Sequence, residues 1–71
     1  MTDLFKIQIA NKICQIFELK NISQNEFSKL LGIRQAKFSR IINRHLNEFS
    51  LESLIKYLEL LNIKMEFKIN D

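Results

Sequence analysis

The chain has 71 residues, 46% of them hydrophobic, with no proline, one cysteine and a formal charge of +3. That is one small domain, apolar enough to exclude disorder and near the lower size limit for a self-sufficient core. An intrachain disulfide is excluded, and a zinc ligand set finds too few Cys and His, so a second subunit is the leading source of extra stability.

The opening MTDLFKIQIANK does not read as a signal peptide, and no stretch approaches the ~18 apolar residues of a membrane span, so a soluble, reducing, cytoplasmic setting is expected. Residues 3–20 read as a helix that Thr2 can cap, with Phe5, Ile9, Ile13 and Ile16 at helical spacing. A second stripe, Ile7, Ala10, Cys14 and Phe17, lies on a different side, so this helix needs cover on two sides. Within that stripe Cys14 reads as a small buried hydrophobe rather than a reactive thiol.

The stretch SQNEF, residues 23–27, is a helix start. Ser23 can cap it, and Glu26 can reach back to complete a capping box. The helix is expected to bury Phe27, Leu30 and Leu31 and to end at Gly32, which readily takes the left-handed conformation. The next helix, about 35–43, places Phe38, Ile41 and Ile42 on one side. At 100° per residue the opposite direction is held by Ala36, Arg40 and Asn43, with Lys37 and Arg44 on one flank and Ser39 on the other.

Charge follows the same segmentation. Residues 1–26 are balanced, residues 27–46 carry Lys29, Arg34, Lys37, Arg40 and Arg44 with no acid, and residues 47–71 sum to −2. A local +5 is the footprint expected for polyanion binding, or alternatively a solvated cationic face. On the first reading, the missing counter-charges would be phosphates.

Ser50 opens a fourth helix, with Phe49 and Leu54 placed for a hydrophobic staple. Leu51, Leu54, Ile55, Leu58 and Leu61 form its core stripe, Tyr57 and Leu60 stand off it, and Asn62 can terminate it. The period then changes. In IKMEFKI, 63–69, Ile63, Met65, Phe67 and Ile69 alternate with Lys64, Glu66 and Lys68, which is a strand signal. One strand leaves its backbone unpaired, and the simplest partner is the same strand of a second subunit across a two-fold axis; a tail lying on the helices is the alternative.

Two short helices separated by a glycine turn describe a helix-turn-helix, whose second helix is sized for the DNA major groove. Accordingly, ISQNEFSKLLGIRQAKFSRIINRH resembles the helix-turn-helix of the Xre/Cro repressors. The downstream NEFSLESLIKYLELLNIKMEFKI looks like the subgroup of antitoxin and phage-type regulators that end in a helix and a strand. The resemblance spans about residues 16–69 and implies a mainly α fold, with four helices in a lambda-repressor-like domain and one C-terminal strand pairing across a dimer. The motif would occupy about 24–43 of a single domain, 1–71.

The resemblance also implies roles. Gln24 matches a phosphate-holding position, and Gln35 one that contacts a base or braces a base reader. Ala36 and Lys37 match base-facing positions. Arg40 falls at a frequent base-reading position, where its fork suits guanine N7 and O6. Asn43 and Arg44 fall where the chain leaves the groove beside the backbone. Three residues depart from the pattern: Arg34 stands where relatives often have a Ser or Thr cap, Arg44 where they often have glycine, and Asn62 where glycine is usual.

Ser39 has no activating His or Asp nearby in sequence, so an enzyme is not expected, and no cofactor or metal is called for. His45 reads as a loop residue, solvated or touching phosphate. The expected partners are double-stranded DNA, a second copy of the chain and, in the antitoxin case, a cognate toxin. The competing reading is an interaction module with little DNA binding of its own.

Overall fold

The structure, a computed structural model, describes residues 4–62. Four helices follow in order: α1 (Leu4–Lys20), α2 (Gln24–Leu31), α3 (Gln35–Ile42) and α4 (Leu51–Leu60). The Thr2 cap and the 63–69 strand lie outside the described residues. Helix α1 packs mostly on α4 and also on α3, while α2 packs on α3 and α4. Both stripes of α1 are therefore used: Ile9, Ala10, Ile13 and Ile16 are buried, and Ile7, Cys14 and Phe17 pack against the same core.

Local chemistry sets the helix boundaries. Ser23 Oγ accepts the Glu26 amide at 3.1 Å, so the cap forms, although only this half of the expected capping box is made. Ser50 Oγ likewise accepts the Ser53 amide at 3.0 Å and opens α4, with Phe49 and Leu54 both buried beside it. Each helix is followed by one left-handed residue: Asn21, Gly32, Arg44 and Asn62. Gly32 closes α2 by donating to Lys29 O at 3.1 Å, while Ile33 donates to Ser28 O at 3.1 Å. That pair of bonds satisfies carbonyls that the helix itself leaves open.

The core centres on three rings contributed by three helices. Phe17 lies edge-on to both Phe27 and Phe38, with centroids 5.2 Å away in each case, and Phe27 and Phe38 are 5.0 Å apart. This cluster joins α2 and α3 to α1.

Three burial expectations need correction. Leu30 is 47% exposed, and Ser28 takes its place inside. The buried arc of α2 is rotated toward Ser28, which can be buried because its hydroxyl donates to Asn25 O at 2.7 Å. Tyr57 is buried rather than off the stripe, because Phe49 from the preceding loop covers that flank of α4 at 6.4 Å between ring centroids. Phe5 sits at the margin of the core, 36% exposed, near the start of α1.

Candidate nucleic-acid interface

Phe38 and Ile41 are fully buried, with Ile42 packed beside them. The rest of α3 must then face outward. Arg34, Gln35, Ala36, Lys37, Arg40 and Asn43 are exposed, and Ser39 and Arg44 are half-buried. Gln24, at the first position of α2, is half-buried as well. Arg34 precedes α3 in an extended conformation and makes no side-chain cap bond, as expected of a side chain with no acceptor.

The two edges of this surface differ. On one, Asn43 Nδ2 donates to Ser39 O at 2.9 Å, making a neutral ridge. On the other, Lys37 and Arg40 lie one turn apart along the loop before α4. Arg40 Nη1 donates to Glu48 Oε1 in an ion pair with both side chains about half exposed. Lys37 Nζ stands 5.4 Å from the centroid of the Phe49 ring, a cation–π contact. This corrects the expectation that these cations have no acidic neighbour, since Arg40 finds Glu48. Glu48 lies just past the acid-free segment, and the loop folds it back against α3.

Arg44 makes contacts that its groove-edge position did not announce. It is left-handed, φ 62°, at the position where the resemblance leads one to expect glycine. Its amide donates to Ile41 O at 3.1 Å, and the His45 amide donates to Arg40 O at 2.8 Å, the same closure that Gly32 gives α2. Its side chain turns back into the molecule. Nε donates to Asn11 Oδ1 at 2.9 Å, and Nη1 donates to Ile42 O at 2.7 Å, Ile41 O at 3.2 Å and Cys14 Sγ at 3.1 Å. Arg44 thus caps α3 and ties it to α1. Burial pushes the Cys14 thiol up, against the opposing charge and hydrogen bond of Arg44. Sequence periodicity had no means of finding Asn11 or Glu48, since each acts through a residue on another element.

Among the described residues, no group of three or more His, Cys, Asp or Glu could hold a metal, and no helix is long and apolar enough to cross a membrane. An open concavity of about 410 Å³ on α1 is lined by Gln8, Asn11, Lys12 and Gln15, with no hydroxyl, thiol, imidazole or carboxylate among them.

A short helix, a left-handed glycine and a second short helix with a buried apolar side and a cationic outer side define a helix-turn-helix domain of the DNA-binding kind. The sequence matches the helix-turn-helix domain family over residues 3–70, and the chain belongs to that family. No curated protein and no solved structure matches it significantly. The family points to a DNA-binding regulator, a class that works by binding rather than by catalysis.

Proposed function

We propose that the chain is a sequence-specific repressor of the Xre/Cro type that binds an inverted-repeat operator as a homodimer and serves as the autoregulating antitoxin of a toxin–antitoxin pair. The observation that carries the DNA-binding part is the exposed surface of α3, where Gln35, Ala36, Lys37, Arg40 and Asn43 stand out from the buried Phe38 and Ile41. Arg40 and Gln35 are the base readers. Gln24, Arg34, Lys37, Ser39 and Asn43 serve the phosphates and the groove edge. Arg44, with Nε and Nη1 engaged, keeps Nη2 for a phosphate. The antitoxin part rests on the resemblance of the C-terminal half. DNA as the ligand places the protein's work in the cytoplasm.

Dimerisation through Ile63, Met65, Phe67 and Ile69 is part of the same proposal, supported by their strict alternation. A two-fold pair sets two recognition helices about one DNA turn, ~34 Å, apart. A chain shortened to residue 62 should sediment as a monomer and lose the operator; a dimer that still protects both half-sites would remove the strand from the interface.

The decisive experiment is a gel-shift titration on the promoter region of the protein's own gene. Even about six phosphate contacts per dimer lower affinity by ~10³ between 50 and 200 mM salt. A flat salt dependence would leave the interaction-module reading in its place.

A further inference from the structure

Arg40 and Glu48 form the one ion pair among the described residues, and its partners are not held alike. Glu48 belongs to a short loop pinned at both ends. Leu46 and Phe49 are each 2% exposed, Phe49 N donates to Leu46 O at 3.0 Å, and the His45 amide donates to the carbonyl of Arg40 itself at 2.8 Å. The carboxylate is therefore carried on backbone that is bonded to the residue it faces. Arg40, on the outer side of α3, has a long chain with little else to fix it.

Stability does not account for this pair, since an exposed ion pair contributes little to a fold. Nor does phosphate affinity, because a carboxylate on a DNA-facing rim repels the backbone and occupies a cation. Its chemical effect is on direction. A guanidinium has five N–H donors in a rigid plane. One donation from Nη1 to Glu48 fixes that plane and leaves the Nε–Nη2 edge open for a bidentate acceptor such as guanine N7 and O6.

We propose that Glu48 is a positioning residue for base recognition: it holds the Arg40 guanidinium so that its free edge meets a guanine, and it lowers the protein's affinity for DNA in general. This rests on the DNA-binding reading of α3. Discrimination is gained by pre-orienting a reader and by repelling duplexes that give that reader no guanine.

The test uses the full chain. Wild-type protein selects sequences from a random duplex library, and affinities for the selected site, for its guanine-substituted variants and for random duplex are then measured for wild type, Glu48→Gln, Arg40→Ala and the double variant. Glu48→Gln should bind random duplex more tightly with a steeper salt dependence. Its preference for one guanine per half-site should fall about two- to fivefold, the range an exposed ion pair supports. In the Arg40→Ala background the same change should leave base preference untouched. A gain from Glu48→Gln that is equal on selected and random duplex, with preference intact, would overturn the proposal while leaving the DNA reading standing. Enrichment of no sequence by the wild type would overturn both.

Discussion

The two chain reversals that bracket α3 close the same pair of backbone bonds by different means. At Gly32, φ 71°, the left-handed conformation is free of side-chain strain, and an added Cβ would meet nothing within 4 Å. At Arg44, φ 62°, the same conformation carries a full side chain, a strain of roughly 1–2 kcal/mol in an L-residue. The guanidinium offsets it by bonding Asn11, Cys14 and the last carbonyls of α3. The first turn is a bare hinge between two helices. The second anchors the recognition helix to α1, and an arginine can stand where glycine is usual because it makes that anchor.

Replacing Arg44 probes this difference with the largest expected effect. Arg44→Ala keeps the strain and loses the bonds, several of them charge-assisted and partly buried, at about 2–3 kcal/mol. For a domain this small that lowers the melting temperature by ~10–20 °C. Arg44→Gly loses the same bonds but relieves the strain, so it should fall between Arg44→Ala and wild type. A glycine variant more stable than wild type by the whole of that strain, about 1–2 kcal/mol, would mean that the side-chain bonds contribute nothing and that the two turns are equivalent.

Gly32→Ala is the matching change at the other turn. With open space around the Cβ, its cost is backbone strain alone, about 1–2 kcal/mol, or a melting shift of ~4–15 °C. Thermal unfolding monitored by circular dichroism measures both turns on one scale. A Gly32→Ala loss greater than that of Arg44→Ala would reverse the assignment of hinge and anchor.

The same contrast separates what was legible in the sequence from what was not. Gly32, the Ser23 and Ser50 caps, and the inward Phe38 and Ile41 are dictated by neighbours within four residues, which periodicity and capping rules read directly. The outward set on α3 follows from the same rule. The links that depend on a second element were invisible. Arg44 reaches 33 residues back to Asn11, Glu48 folds onto Arg40 from just beyond the acid-free segment, and the 46–49 loop buries Tyr57. A helical wheel drawn for one helix contains none of these contacts. The positive φ at Arg44 was foreshadowed only by the resemblance, which placed a glycine there, while the direction of its side chain came from packing against α1.

The smallest effect concerns Cys14, where the Arg44 anchor ends on a thiol. Burial raises its pKa above the ordinary value, with the charge and hydrogen bond of Arg44 opposing the rise and Glu18 adding to it. The folded chain therefore holds the proton at a pH where the unfolded chain has begun to release it. The associated stability is fully present below the unfolded thiol pKa and is lost as the pH rises through the folded one. Melting temperature should thus decline more steeply between about pH 8 and pH 10 in wild type than in Cys14→Ala, other titrating groups being common to both. In Arg44→Ala, where the opposing charge is gone, the folded thiol pKa should rise further, so the decline should begin at the same pH, set by the unfolded thiol, but continue to higher pH and total more. Parallel pH profiles for wild type and Cys14→Ala would show that folding leaves the thiol pKa unchanged, so that burial does not outweigh the opposing charge of Arg44 there.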